Sequence, residues 1–220
     1  MIFDRQIAYW GEEKQRMLEQ ASVFVAGLGG LGCLLSELLV RAGVGKVYIC
    51  DKGIIDEPDL NRQLFYTQHD IGKAKLAVAA DWLKSIHPHT KIIPVPGDIM
   101  GEDFVLPTDI DGVADCLDNF ETRFALWEKL PEDAFFVHTG VEQFFGQIMT
   151  FVKGSSPQLS TIFANYNKRE RVIPVSGASA SALSSLSANE VLNNVFGDPK
   201  LKNTMLIVDL SDFTFDKVSF

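Results

Sequence analysis

Cysteine is scarce in this sequence. Its 220 residues include three, Cys33, Cys50 and Cys116, and none stands at the C-x-x-C spacing of a metal-binding or redox pair. A structural zinc site needs four Cys or His ligands, and no cysteine follows Cys116, so we expect a protein without zinc. The three thiols are interpreted as buried side chains in a reducing, cytoplasmic compartment.

An excess of basic residues is also missing. The chain has 20 Lys and Arg against 29 Asp and Glu, which gives a net charge of -9 and a pI near 4.9. Nucleic-acid binding needs a basic face, so this balance argues against a nucleic-acid partner. Any site for a phosphorylated ligand must therefore concentrate its few cations locally.

Long uninterrupted apolar runs are absent as well. The most apolar stretch contains several glycines and is interrupted by Glu37 and Arg41. Residues 1–20 are charged and lack the apolar segment of a signal peptide. The apolar fraction is nevertheless 46%, enough for a sizeable core. These features predict a cytoplasmic protein that does not associate with a membrane.

Short apolar segments alternate with helical patterns along the chain. Continuous runs such as Val23–Ala26 and Val47–Cys50 suit parallel strands covered on both faces. The alternation predicts an α/β fold: a doubly wound, mostly parallel, Rossmann-like sheet with helices on both faces and a C-terminal strand extension. Further strands are predicted at Lys91–Val95, Ile110–Cys116, Ala134–His138, Gln147–Val152, Met205–Leu210 and Phe213–Phe220, and helices at Leu31–Ala42, Ile71–Ile86, Asn119–Leu130 and Ser176–Phe196.

The length of the chain predicts one domain over residues 1–220. Its N-terminal segment, residues 1–20, is expected to be helical and polar over Asp4–Gln20. Prolines flank Lys91–Val95, which places that strand near an edge of the sheet or its ends. Residues 153–171 show no clear periodicity and are predicted to form a long exposed crossover loop.

A glycine-rich turn is predicted between the first strand and the helix that follows it. Gly27, Gly29 and Gly32 form a G-x-G-x-x-G, which permits a tight turn and offers free helix N–H groups to phosphate. Asp51 ends the next strand, where such folds place an acid against ribose hydroxyls. This order predicts a nucleotide site; the alternative is a turn kept only for helix–sheet packing.

Cations follow the turn in two short motifs. The sequence D-L-N-R-Q (residues 59–63) carries Arg62, and G-K-A-K (residues 72–75) carries Lys75. A dehydrogenase has no need of these cations, whereas an enzyme that handles a triphosphate does, because each cation offsets phosphate charge. A third motif, D-C-L-D-N (residues 115–119), carries Asp118 at the end of another predicted strand.

These motifs, in this order, resemble the ThiF/MoeB/HesA family, relatives of the ubiquitin-activating enzymes. Members adenylate the C-terminal carboxylate of small ubiquitin-like sulfur carriers. The likeness covers nearly the whole chain, including residues 146–147 and 174–177. It implies an ATP-dependent adenylyltransferase that uses ATP and Mg²⁺, acts on a carrier protein ending in Gly-Gly, and forms a homodimer.

The resemblance also implies roles for individual residues. Arg62 and Lys75 would contact phosphate, Asp118 would hold Mg²⁺ directly or through water, and Arg5 would reach into the ATP site of the partner subunit. The residues implied around the nucleotide are Gly27, Gly29, Gly30, Gly32, Asp51, Asp59, Asn61, Gln63 and Asn119. Taken singly, Arg62 and Lys75 could be ordinary surface charges, and Asp118 could cap the following helix.

The chain departs from the family pattern in four respects. Asp59 replaces an Asn, and an extra carboxylate near phosphates is unfavourable unless it faces away or binds metal. Gly53 stands where many members have a second acid. The zinc-binding cysteines are missing, with P-Q-L-S at residues 157–160 where the first pair would lie, and so is the cysteine that forms a thioester or persulfide in some relatives.

Two alternatives to a carrier-activating enzyme therefore stay open. One is a non-catalytic nucleotide-binding member of the family, for which Asp59 and the missing cysteines are the argument. The other is an NAD-dependent oxidoreductase, which would use the glycine turn and Asp51 but leave the cations without a role. Adenylation of a small molecule or a tRNA would fit the wider superfamily, although the acidic charge argues against tRNA.

Overall fold

The computed structural model describes residues 2–164 and 173–220. The strands in this part of the chain are β1 (Ser22–Ala26), β2 (Lys46–Cys50), β3 (Lys91–Pro94), β4 (Gly112–Asp115), β5 (Phe135–Glu142), β6 (Phe145–Val152), β7 (Thr204–Asp209) and β8 (Thr214–Ser219). The α-helices are α1 (Asp4–Gln20), α2 (Gly32–Ala42), α3 (Lys75–Ile86), α4 (Phe120–Glu128), α5 (Leu159–Ile162) and α6 (Gly177–Val195), and two 3₁₀ helices span Glu57–Asn61 and Gln68–Asp70.

The strands form a single mixed sheet in the order β3-β2-β1-β4-β5-β6-β7-β8. The first five strands of that order are mutually parallel, and β6, β7 and β8 continue the sheet in antiparallel fashion. The predicted doubly wound α/β fold with a C-terminal strand extension is confirmed. The strand order reverses between β1 and β4, so the carboxyl ends of these two strands border the crevice where such sheets bind ligands.

Helices cover both faces of the sheet over two separate apolar cores. On one face, α1, α2, α3 and α6 bury side chains such as Leu18, Leu39 and Leu183. On the other face, α4 and α5 pack Trp127 and Leu159 against strand residues. The β-branched and aromatic strand residues point alternately into these two cores, which is why the parallel strands read as continuous apolar runs.

One helix begins later than the sequence predicts, and another has the predicted bounds but contains a break. The helix expected from Ile71 begins at Lys75, because Gly72 has a φ of +87° and Ala74 pairs with Ile54 in a β-bridge. The helix α1 has the predicted bounds, but Gly11 inside it has a non-helical backbone with positive φ (φ 86°, ψ 163°), so α1 consists of two helical parts.

Residues 153–171 are predicted to form an exposed loop, and within the described residues 153–164 this prediction is wrong for residues 159–162. Residues 153–158 are turns and irregular chain, but Leu159–Ile162 forms one helical turn whose Leu159 is fully buried. Trp127 Nε1 donates to the side-chain oxygen of Gln158 at 2.6 Å, which anchors this turn to α4. Residues 165–171 lie outside the described residues.

No helix in residues 2–164 or 173–220 has the length and apolar character needed to span a bilayer. The edge position predicted for the third strand is confirmed, since β3 is the first strand of the sheet. The Pro94 that ends it lacks an N–H and is tolerated at a strand end on the edge.

The turn between β1 and α2 is held by close backbone contacts. Gly27 has a φ of +92°, and a Cβ there would lie 2.7 Å from the carbonyl oxygen of Cys116 on the loop after β4. A Cβ at Gly32 would lie 1.8 Å from the carbonyl oxygen of Gly27. A Cβ at Gly29, in contrast, would meet nothing closer than the Gln63 amide at 3.8 Å. Gly27 and Gly32 therefore shape the turn, while the backbone at Gly29 leaves room for a Cβ.

We expect Gly32→Ala to lower the free energy of unfolding by about 3 kcal/mol or more, because its Cβ must displace backbone. Gly29→Ala, three residues away, is expected to stay within about 0.5 kcal/mol of the unsubstituted protein. Urea denaturation of both variants gives the comparison. Equal stability of the two would contradict the assignment of Gly32 as the packing glycine.

Candidate active site

The candidate site lies at the carboxyl ends of β1, β2 and β4. The glycine turn (residues 27–32) follows β1, Asp51 follows β2, and residues 116–119 follow β4. The register aligns Ala26 with both Cys50 and Asp115, so these three segments leave the sheet at the same level. The structure thus brings the predicted nucleotide turn, the predicted ribose acid and the predicted metal loop to one edge of the sheet.

Asp51 fastens the glycine turn to the end of β2. Its Oδ2 accepts the Leu28 N–H at 2.7 Å, and its Oδ1 accepts the Gly53 N–H at 2.6 Å. From the other side, the hydroxyl of Tyr66 donates to the Leu28 carbonyl at 2.8 Å. The turn is therefore fixed through both backbone groups of Leu28, a structural role of Asp51 that the sequence did not reveal.

Arg62 and Lys75 converge on the carboxylate of Asp59. The Lys75 ammonium lies 3.0 Å from Asp59 Oδ2, and the Arg62 guanidinium lies 3.6 Å from Oδ1. The side chains of Lys75 and Asp59 are 13% and 14% exposed, so this is a shielded cluster rather than a pair of loose surface charges. The sequence left two arrangements for Asp59: facing away from the site or binding a metal. The first is wrong, because Asp59 lies against both cations of the site.

Neighbouring polar groups hold this cluster against the glycine turn. Arg62 Nη1 donates to the Pro58 carbonyl at 2.8 Å and to Asn61 Oδ1 at 3.0 Å. A Cβ at Gly30 would lie 3.2 Å from Arg62 Cγ, so the stem of this arginine runs beside the turn. Lys75 likewise passes over Gly53, whose absent Cβ would lie 3.2 Å from Lys75 Cδ.

Gln63 presents an unpaired acceptor in the same place. It is 3% exposed, and its amide nitrogen donates to Asp59 Oδ1 at 2.6 Å. Its Oε1 is buried and has no hydrogen-bond partner within the described part of the chain. Buried polar atoms are ordinarily paired, so this oxygen fits a ligand that offers a donor, such as a ribose hydroxyl.

The N-terminus of α6 completes the wall of the site. Ser176 caps this helix by accepting the Ser179 N–H, and Ser184 Oγ donates to the Leu31 carbonyl at 2.9 Å. A Cβ at Gly177 would lie 2.8 Å from the Asn61 carbonyl oxygen, so only a glycine allows this approach. The helix is predictable from the sequence, but its packing against the nucleotide turn is not, because that contact joins segments more than 100 residues apart.

Asp118 is exposed, and its described hydrogen bond is from the neighbouring Asn119 amide at 3.0 Å. The helix α4 is capped by Asn119, which accepts the Thr122 N–H at 2.8 Å, so Asp118 is not the N-cap. Asn119 has its oxygen and its amide both engaged. Among the described residues no group of three or more His, Cys, Asp or Glu is placed to hold a metal ion. Asp118 fits Mg²⁺, which binds through one or two carboxylates plus phosphates and water.

A buried polar network lies beneath the Asp118 loop, and the sequence analysis missed it. Asp115, fully buried, accepts from Arg123 Nε at 2.8 Å and lies 2.8 Å from His138 Nδ1. Arg123 also donates to the carbonyls of Leu117 and Thr139, the latter at 3.1 Å. These bonds fix the path of residues 115–118 and hence the position of Asp118. The acid–arginine spacing in D-C-L-D-N-F-E-T-R, eight residues across a strand–helix junction, is the one available sequence signal.

His138 is neutral in this network. Its Nδ1–H donates to Asp115, and its Nε2 lies 3.1 Å from the Gln147 amide nitrogen, which donates to it. Burial and the nearby Arg123 together lower the pKa of His138 despite the Asp115 carboxylate. Burial alone would raise the pKa of Asp115, but Arg123 and His138 outweigh it and hold that pKa below its usual range.

The three cysteines are buried and unpaired, as predicted. Burial raises the pKa of Cys33 to about 12 and that of Cys50 to about 12, and it raises the pKa of Cys116 as well. Thiols with such pKa values are not nucleophiles at neutral pH. They serve as small apolar groups beneath the site.

Arg5 is exposed on α1 and lies towards the far end of the molecule from its own glycine turn. The adjacent Gln6 donates to the Arg41 carbonyl at 3.0 Å, in the last turn of α2. The α2 helix begins at the glycine turn and has 11 residues, so its two ends are about 16 Å apart. This placement separates Arg5 from the residues that the structure brings together at the site.

The ThiF family matches residues 3–220, and this chain belongs to that family. The sulfur carrier protein ThiS adenylyltransferase of Bacillus subtilis is 31% identical over 181 residues, which are 80% of this chain and 52% of that protein. Protein HesA of Nostoc sp. is 31% identical over 217 residues, 94% of this chain and 84% of that protein. The chain thus spans about half the length of the Bacillus relative.

A solved structure supports the fold independently. The crystal structure of E. coli MccB with ATP superposes with a TM-score of 0.82 at 15% identity, over 99% of this chain and 71% of that chain. At this identity the likeness concerns the fold alone. It agrees with the α/β architecture described above.

The His138 network predicts a loss of stability in mild acid. Because the folded pKa of His138 is lowered, the unfolded chain takes up a proton near pH 6.5 that the folded chain does not. Stability should therefore fall below about pH 6.5, by up to about 1.4 kcal/mol per pH unit from this residue. The lowered pKa of Asp115 acts only in stronger acid, because stability from a depressed carboxylate is lost below its ordinary range.

The measurement is the free energy of unfolding at pH 7.5 and pH 5.5 for the unsubstituted protein and for His138→Gln. The variant should lose less stability between these pH values, although it starts lower. The buried His87, whose pKa burial also lowers, contributes equally to both proteins. His69→Gln, at an exposed position, serves as the control and should behave like the unsubstituted protein. An equal loss of unfolding free energy between pH 7.5 and pH 5.5 in the His138 variant and the control would rule out a neutral buried imidazole at His138.

Proposed function

We propose that this protein transfers the adenylyl group of ATP to the C-terminal carboxylate of a small ubiquitin-like sulfur-carrier protein that ends in Gly-Gly. A carboxylate oxygen of the carrier attacks the α-phosphorus, the bond from the α-phosphorus to its bridging oxygen breaks, and pyrophosphate leaves. The product is an acyl adenylate. Both reactants are anions, so the site must neutralise charge as well as align the reacting groups.

The convergence of Arg62 and Lys75 beside the glycine turn is the observation that carries this proposal. In a protein of net charge -9, two shielded cations at a nucleotide crevice are placed for a polyphosphate. An oxidoreductase would leave them without a function. The relatives named as adenylyltransferases support the reaction class, and the name of the Bacillus relative supports a sulfur carrier as the substrate.

Each residue of the site has a place in this reaction. The backbone of the glycine turn and the α2 N-terminus would receive phosphate, and Gln63 Oε1 or Asp51 would accept from the ribose. Arg62 would contact phosphate through its forked donors, and Lys75 would add a point charge. Mg²⁺, held by Asp118, would supply neutralisation of the departing pyrophosphate charge.

We further propose that the active unit is a homodimer in which each site receives Arg5 from the partner subunit. The placement of Arg5 near the C-terminal end of α2 supports this, since it extends away from the site of its own chain. A two-fold axis makes such a contribution reciprocal, because each subunit gives what it receives. It adds a third cation to a site that binds a highly charged nucleotide.

We expect ATP–pyrophosphate exchange that depends on an added ubiquitin-like carrier ending in Gly-Gly, and its loss in Asp118→Ala. Removing a metal ligand or comparable electrostatic stabiliser lowers the rate on the order of 10²–10³-fold. The assay follows labelled pyrophosphate entering ATP, with the carrier intact or lacking its last glycine.

Asp103→Ala is the matched control, because it removes one exposed acid from the loop after β3. It should exchange as fast as the unsubstituted protein. Exchange by Asp118→Ala within threefold of that rate would remove the metal role. The absence of exchange with every Gly-Gly carrier tested, while ATP still binds, would favour the non-catalytic alternative.

The shared-site arrangement predicts complementation between two inactive variants. Arg5→Ala and Asp118→Ala are unfolded together and refolded as a mixture. In a mixed dimer, one site has its own Asp118 and an intact Arg5 from the partner, whereas the other has neither. Random pairing makes half the dimers mixed, so exchange should recover to roughly a quarter of the normal rate.

Each variant refolded alone is the baseline, and native mass spectrometry counts the mixed dimers. Absence of recovery despite mixed dimers would show that Arg5 acts within its own subunit or has no catalytic function. A monomeric protein would also contradict this arrangement.

A further inference from the structure

Asp59 contacts the two cations to which the proposed function assigns the phosphates of the nucleotide. Its Oδ2 lies 3.0 Å from the Lys75 ammonium, and its Oδ1 lies 3.6 Å from the Arg62 guanidinium and accepts from Gln63 at 2.6 Å. Oδ2 also accepts the Asp56 N–H at 3.1 Å, which closes the N-terminus of the 3₁₀ helix. Both oxygens of this carboxylate are therefore engaged, each by one cation and one N–H donor.

The contacts of Asp59 have opposite consequences for an incoming anion. They pre-arrange Lys75 and Arg62, two flexible side chains that would otherwise lose rotamer freedom when a ligand binds. They also neutralise about one unit of positive charge in a shielded place, where a second anion is repelled more strongly than in water. The charge effect exceeds the ordering effect here, because Arg62 is also restrained by the Pro58 carbonyl and the Asn61 side chain, and the stem of Lys75 lies against Gly53.

We propose that Asp59 is an internal counter-ion that competes with the phosphates of the nucleotide for Lys75 and Arg62, and so sets the affinity of the site for polyphosphate. Binding of the triphosphate exchanges one carboxylate contact for stronger phosphate contacts, and release of pyrophosphate returns Asp59 to the cations. The carboxylate is thus a positioning residue that limits how tightly the leaving pyrophosphate is held. The proposal rests on the proposed function only in taking a polyphosphate as the ligand.

The test is direct binding of inorganic pyrophosphate, ATP and adenosine to the full chain by calorimetry, for the unsubstituted protein and Asp59→Asn. Asn has the same shape and can still accept from Gln63, but it carries no charge. We expect pyrophosphate and ATP to bind on the order of tenfold tighter to the variant. Adenosine, which has no phosphate, should bind both proteins equally.

Asp56→Asn is the matched control, because it removes the same charge from the exposed N-cap of the same 3₁₀ helix without a contact to either cation. It should leave pyrophosphate binding within twofold. A melting curve checks that Asp59→Asn is folded, and Asp59→Ser provides a second neutral side chain should Asn disturb the helix. Tighter pyrophosphate binding by both neutral variants, but not by the control, is the expected result.

Each measurement is made with Mg²⁺ and with EDTA to separate the competing explanations. If Asp59→Asn binds pyrophosphate and ATP more weakly than the unsubstituted protein when Mg²⁺ is present, but not in EDTA, Asp59 is a metal ligand and the proposal is overturned. Unchanged binding under both conditions would overturn it as well, although ATP binding by the unsubstituted protein would leave the proposed function intact. If the unsubstituted protein binds neither ATP nor pyrophosphate, both the proposed function and the counter-ion role fail.

Discussion

The buried carboxylate of Asp115 is the interaction on which the geometry of the site depends. It lies at the last position of β4 and joins Arg123 of α4 to His138 of β5. Through Arg123 it also fixes the carbonyl groups of Leu117 and Thr139. A fully buried charge is tolerated only with such partners, and removing one partner from a buried pair commonly costs about 3–5 kcal/mol. The loop that carries Asp118 thus inherits its position from an ion pair in the core.

The site is assembled from two kinds of polar group with different duties. One kind has its hydrogen bonds satisfied inside the protein: the half-buried Asp51 and the fully buried Asp115 hold backbone and neighbouring side chains, and their loss would move the loops. The other kind is shielded but accessible: Arg62, Lys75 and Asp59 hold one another, and their contacts are exchangeable. This division gives a rigid frame around a small set of charges that can change partners.

The sequence predicts the frame of this molecule better than its contacts. Strands and helices are predictable because the spacing of apolar residues and the positions of glycines are local features of the sequence. The ThiF-like motifs also place the glycine turn, Asp51 and Asp118 at the edge of the sheet where the structure has them. The start of α3 was misplaced because it depends on a bridge between Ile54 and Ala74. The partners of Asp59 and Asp115 were unreadable for the same reason, since Lys75 and His138 reach them only in the folded chain.

The fastening of the glycine turn has a consequence for the thermodynamics of ligand capture. The Leu28 N–H donates to Asp51, and the Leu28 carbonyl accepts from Tyr66. At Gly27 and Gly32 neighbouring backbone lies too close to leave room for a Cβ. The turn is therefore already in one conformation before any nucleotide arrives. Its conformational entropy is lost when the chain folds, not when the ligand binds, so a nucleotide meets preorganised N–H groups and need not order a loop around itself.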